Sequence, residues 1–124
     1  MQSLRVGNPL DKNTDIGAIN SKEQLDKITS LVNEGVEDGG ELFQTQCELP
    51  GNGFWFRPSL FTNVQPSYSI AREEIFGPVL TTLTFRTPEE AVEIANNTEY
   101  GLSAGVWTEK GSKTVSYTHL RAHE

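Results

Sequence analysis

The stretch Glu73-Glu74-Ile75-Phe76-Gly77-Pro78-Val79-Leu80-Thr81-Thr82-Leu83-Thr84-Phe85 sets the fold class. Gly77 frees the backbone, Pro78 fixes φ and donates no ladder hydrogen bond, and the β-branched and aromatic run from Val79 to Phe85 then reads as a strand. Thr87-Pro88-Glu89-Glu90 follows, with an N-cap hydroxyl, a proline at the first helical position and a glutamate at the third, so the strand leads into a helix. Ala91, Ile94 and Ala95 line the apolar face of that helix with Val92 at its flank, and Asn96-Asn97 closes it near the Tyr100-Gly101 turn. Ser103 to Thr108 reads as the next strand. Strand, helix and strand in this order predict an α/β layer with a right-handed crossover between the Val79 and Ser103 strands.

Upstream, Leu4 to Asn20 is rich in turn residues and reads as a long connection. Ser21 with Gln24 three residues later forms a capping-box pattern. Leu25, Ile28, Leu31, Val32 and Val36 fall on one helical stripe, and Gly39-Gly40 offers a left-handed stop, which predicts a helix from Lys22 to about Asp38. A short strand is expected within Glu41 to Gln46. A second extended run is expected from Phe54 to Val64, with Pro58 marking an edge or a bulge. A turn at Pro66-Ser67 then leads to a short irregular or helical stretch, Ile70 to Ile75.

The 124 residues are enough for one modest domain, which would bury roughly 65% of its unfolded surface. Hydrophobic residues make up 35% and charged residues 22%, with a mean hydropathy of -0.44, the composition of a soluble protein with a lean core. A net charge of -7, from 17 acidic against 10 basic residues, disfavours nucleic acid and anionic membrane surfaces as partners. No apolar run approaches the ~20 residues of a bilayer span, and the first residues lack a signal-peptide core, so a cytoplasmic location is expected. The single cysteine, Cys47, can form no internal disulfide. No GxGxxG or GxxxxGK phosphate loop is present.

Several short motifs occur in a fixed order: Gly7-Asn8-Pro9-Leu10-Asp11, Asp15-Ile16-Gly17, Phe56-Arg57-Pro58, Glu73 to Val79, Asn97 and Gly101-Leu102. Each is weak alone, but as an ordered set they are specific. On them the chain resembles the C-terminal part of the aldehyde dehydrogenase catalytic domain, from about Leu4 to Lys113. The resemblance implies an incomplete layer of that α/β domain, with mostly parallel strands and flanking helices, spanning residues 1–114. Residues 115–124 form a non-matching tail whose native origin the break calls into question, since the family pattern would continue with a helix and a strand.

The resemblance also implies function: NAD- or NADP-dependent oxidation of aldehydes to carboxylic acids. In such enzymes a cysteine thiolate attacks the aldehyde, hydride leaves for the nicotinamide, and a base-activated water hydrolyses the thioester. Glu74 matches the position whose carboxylate accepts hydrogen bonds from the nicotinamide-ribose hydroxyls, and Phe76 the ring that packs beside the same part of the cofactor. From the residues alone Glu74 is a solvated turn acid and Phe76 an ordinary core ring. Glu73 is expected to be structural or solvated, not catalytic, because adjacent side chains seldom face one substrate.

Cys47 does not match the nucleophile. It sits in Gln46-Cys47-Glu48-Leu49-Pro50, unlike the family's setting, and Glu48 would raise its pKa. The nucleophilic cysteine, the general-base glutamate and the dinucleotide-binding domain would all precede the Gly7-Asn8-Pro9 region, so no catalytic residue is assigned in the chain, and the isolated 124 residues are expected to be inactive. An aldehyde substrate and a homo-oligomeric parent are the implied partners; a non-catalytic scaffold derived from the same family is the alternative. His119 and His123 are four apart, but no further ligand completes a metal shell, and no metal site is expected.

Overall fold

The computed structural model describes residues 1–109. Both tail histidines and residues 115–124, expected from the sequence to be a non-matching tail, lie outside the described residues. The chain divides into two compact units, Met1–Leu83 and Thr84–Glu124.

The first unit begins with a connection folded on itself. Val6 and Ile16 form an isolated bridge, Asn8 Oδ1 accepts from Leu10 N, and Asp11 Oδ1 accepts from Asn13 N. These short side chains satisfy turn amides that no ladder reaches. The expected long helix then forms as α1 (Lys22–Glu37), with Ser21 in an extended conformation and its Oγ accepting from Gln24 N at 3.1 Å.

At its far end Gly39 takes φ +112, Gly39 N donates to Val36 O, and Gly40 N donates to Gly35 O at 2.9 Å. This is the paired-carbonyl stop of a Schellman motif, and it requires the glycine at position 39. A Cβ on Gly40 would approach Gly35 O at 2.9 Å, so the second glycine is needed for space.

Two strands follow, β1 (Glu41–Gln44) and β2 (Ser59–Thr62), then the single turn α2 (Ser69–Arg72) and the strand β3 (Val79–Thr81). The sheet order is β1-β2-β3, with β1 antiparallel to β2, Glu41 opposite Thr62, and β2 parallel to β3, Ser59 opposite Val79. The helix-flanked α/β layer is thus a mixed sheet with one pair of each sense.

The extended run expected from Phe54 to Val64 enters the ladder only after Pro58, which has no N–H to give, and leaves it at Asn63, whose φ is +54. The run from Val79 to Phe85 contributes only three ladder residues. Beyond them both the N–H and the hydroxyl of Thr82 donate to Phe61 O, at 3.0 and 2.8 Å.

Ile28, Val32, Phe61, Val64, Ile70 and Ile75 form the buried core, with Leu42, Phe56, Val79 and Leu83 among the residues packed on it. The predicted stripe of α1 therefore supplies two of its members, while Val36 is left exposed. Phe61 is fully buried at the centre of β2 and meets Gly35 of α1, where a Cβ would lie 3.1 Å from its ring.

In the second unit α3 (Pro88–Asn96) starts as expected, with Thr87 as N-cap, Pro88 in the first turn and Glu90 N donating to Thr87 Oγ1 at 3.2 Å. None of its residues is buried. Among the described residues Ser103 to Thr108 belongs to no strand, so the strand expected there is not observed. Its β-branched and aromatic content suits a pleated surface, but a strand exists only where a neighbour takes up its backbone hydrogen bonds. An open apolar recess of about 210 Å³ lies among Phe85, Val92, Ala95, Val106 and Trp107. None of the helices in the described residues is long and apolar enough to cross a membrane.

Candidate functional site

The turn from Glu73 to Val79 connects α2 to β3 and is held along its length, with the side chains of two residues left outside the anchors. Glu73 N donates to Ser69 O at 2.9 Å, which closes α2 and gives Glu73 a backbone role. Ile75 is buried in the core. Pro78 O accepts from Ser59 N at 2.9 Å, tying the turn to β2, and Val79 N donates to Gly77 O at 2.7 Å in a tight turn across Pro78.

Gly77 is needed for space. A Cβ there would lie 2.5 Å from Ile28 Cδ1 and 3.0 Å from Ile28 Cγ1, and Ile28 is fully buried and cannot swing clear. The turn therefore rests directly on α1.

The two remaining residues are those singled out from the sequence. Glu74 is exposed, and its carboxylate has no hydrogen bond or ion pair among the described residues. Phe76 is 71% exposed, so the ring stands outside the core that its hydrophobicity alone would favour. It also takes φ +58, the left-handed region, which costs a residue with a Cβ about 1–2 kcal/mol. An exposed ring contributes little burial to offset that cost, so the backbone bonds around it must hold the conformation.

Gln24 supplies a bond that the sequence pattern did not reveal. In the expected capping box its side chain would fold back on Ser21. Instead Nε2 donates to Ile75 O at 2.8 Å and reaches Phe76 O at 3.5 Å. A part-buried carbonyl left unpaired is costly, whereas an amide at a helix start can be served by water, so the long-range bond is favoured. The partner lies 51 residues away, and no local pattern signals it. Only the choice of glutamine over glutamate at the third helical position hints that a donor is wanted there.

Cys47 is a free, half-buried thiol with Sγ 3.3 Å from Thr45 Oγ1. Among the described residues no base or cation is bonded to it. Among the described residues no group of three or more His, Cys, Asp or Glu side chains could hold a metal ion.

These features define a helix-flanked α/β element that presents an acid and an aromatic ring on a rigid turn before a parallel strand. The sequence model of the aldehyde dehydrogenase family matches residues 1–120. The chain belongs to that family.

Among its relatives, 3,6-anhydro-alpha-L-galactose dehydrogenase of Vibrio sp. (strain EJY3) is 38% identical over 129 aligned residues, covering 100% of this chain and 26% of the relative. The crystal structure of an NAD-dependent aldehyde dehydrogenase from Sinorhizobium meliloti superposes with a TM-score of 0.87 at 44% identity, over 96% of this chain and 24% of that one. An indole-3-acetaldehyde dehydrogenase mutant of P. syringae, solved in complex with NAD+ and IAA, gives a TM-score of 0.87 at 41% identity, over 97% of this chain and 25% of that one. The chain spans about a quarter of the length of these relatives.

Proposed function

We propose that the chain forms one wall of the cofactor site of an NAD- or NADP-dependent aldehyde dehydrogenase, with Glu74 and Phe76 as the residues that position the nicotinamide ribose. The observation that carries this reading is the exposed Phe76 ring at φ +58, on a turn held through Glu73, Ile75, Gly77 and Pro78. The residues present suit such a group. An unpaired carboxylate accepts from two neighbouring hydroxyls, and an exposed aromatic face limits the movement of a flat ring and excludes water from it.

When bound, NAD(P)+ would accept the hydride that leaves the substrate. Glu74 holds the ribose, Phe76 restricts the adjoining ring, and the turn keeps both in one orientation, which is the preorganisation that hydride transfer needs. The reading includes oxidation of an aldehyde to a carboxylic acid through a cysteine thioester. Cys47 is not assigned as that cysteine: its Sγ lies against the Thr45 hydroxyl, which is not a base that could activate it. The 124 residues by themselves should therefore show no aldehyde turnover, and turnover by the purified chain that survives Cys47→Ala would refute this part.

Glu74→Gln in the full-length enzyme is the direct test. It replaces a charged acceptor of two hydroxyls, a loss of roughly 1.5 to 3 kcal/mol, so the cofactor step should slow about 10- to 150-fold with the unfolding midpoint unchanged. Steady-state and single-turnover kinetics equal to those of the unmodified enzyme would overturn the assignment.

A further inference from the structure

Gln24 is used twice. Its backbone N–H takes the Ser21 hydroxyl and starts α1, which leaves the side-chain amide to cross to Ile75 O at 2.8 Å and Phe76 O at 3.5 Å. These two carbonyls bracket the φ and ψ of Phe76, the residue with φ +58. The ring is exposed and does not fix itself. The core holds the Ile75 side chain and β2 holds Pro78 O, but within the described residues Gln24 is the side chain bonded to the backbone at Phe76 itself.

We propose that Gln24 is a positioning residue for the cofactor site. Its amide holds the Ile75–Phe76 backbone in the left-handed conformation, so that the Phe76 ring stays displayed for a planar ligand. Ile28, one turn further along α1, fills the space against Gly77 and sets how closely the turn can approach the amide. The helix start and the ligand-facing turn are thereby one mechanical unit. The inference rests on the reading of Phe76 as a cofactor contact.

Two substitutions of similar length separate the donor from the side chain's bulk. Glu at position 24 has no donor and still suits the first turn of a helix, whereas Lys keeps a donor of comparable reach. In the labelled 124-residue chain, the Phe76 backbone is read by its intraresidue NH–Hα NOE, which is strong when φ is positive. The signal should be strong in the unmodified chain and in Gln24→Lys, and weak in Gln24→Glu. Gln24→Met, which is apolar and of similar size, should behave as Gln24→Glu and guards against an effect of charge alone.

In the full-length enzyme the Kd for NAD+ or NADP+ should rise on the order of 10-fold for Gln24→Glu and recover in Gln24→Lys. A strong NOE persisting in both donorless variants overturns the inference. If the NOE is lost while the cofactor Kd and kcat keep their unmodified values, the cofactor reading of Phe76 fails and the role proposed for Gln24 fails with it. If the NOE is kept while Glu74→Gln slows the enzyme, the cofactor reading stands and only the Gln24 inference falls.

Discussion

The two long helices begin alike and end differently in use. Each opens with a hydroxyl that accepts the backbone N–H three residues on, Ser21 from Gln24 and Thr87 from Glu90, at 3.1 and 3.2 Å. At α3 the side chain at that third position stays local, Glu90 Oε2 accepting from Arg86 N at 2.7 Å. At α1 the side chain leaves the helix and binds the turn that carries Phe76. The helix with the long-range bond supplies Ile28 and Val32 to the core, and the helix with the local one has no buried residue. A cap thus fixes where a helix starts, and only the packed face fixes what the helix supports.

The sharpest way to break this contrast is through the packed faces. Phe61→Ala removes a fully buried ring against Gly35 and should cost about 3–5 kcal/mol, enough to unfold the first unit at modest urea. Ile94→Ala in α3 removes a half-buried side chain and should cost about 1 kcal/mol. Urea unfolding midpoints compare the two, and equal losses would show that α3 is held by packing as strongly as α1.

Gly77→Ala comes next. The added methyl must displace buried Ile28, and overpacking of this kind costs about 1–3 kcal/mol. The variant should lose cofactor affinity as well as stability, because the same turn carries Glu74 and Phe76. A neutral Gly77→Ala would mean that the turn does not rest on α1.

These magnitudes follow the line between what the sequence disclosed and what it did not. Both helices, their caps, the Gly39 stop and the turn at Glu73 to Val79 were legible, because each depends on residues within a few positions of one another. The strand expected at Ser103 to Thr108 is not observed among the described residues for the opposite reason: composition marks Val106 and Trp107 as strand-like, but pairing depends on a neighbour that no local pattern supplies. Trp107 is instead 98% exposed. The proposal of Phe76 as a site residue comes only through the family resemblance, since hydrophobicity alone assigns it to the core, whereas the ring is exposed. Gln24 was read as half of a capping box, and its second partner depends on the folded chain bringing α1 beside the turn.

Asp15 provides the smallest and most local test, because it resembles Glu90 in accepting a backbone N–H but does so across the Val6–Ile16 bridge. Asp15 Oδ2 accepts from Arg5 N at 2.9 Å, and the Arg5 guanidinium lies 3.4 Å away. The bond from the Arg5 backbone N–H lowers the carboxyl pKa most; desolvation opposes it, and the guanidinium's hydrogen bond and charge lower it further. A folded pKa below the unfolded one contributes stability that is present above the unfolded value, about 4, and is lost as pH falls through the folded value.

Acid should therefore release this connection at a pH below the ordinary aspartate range, while the Gln24 amide bond, which carries no titrating group, persists. An NMR titration downward from about pH 5 that follows the Arg5 amide and the Gln24 side-chain amide distinguishes the two. Asp15→Asn should remove the Arg5 response without moving the Gln24 signal. Loss of both signals at one pH would mean that the N-terminal connection and the Phe76 turn unfold together, and that the α1 clamp is not an independent anchor.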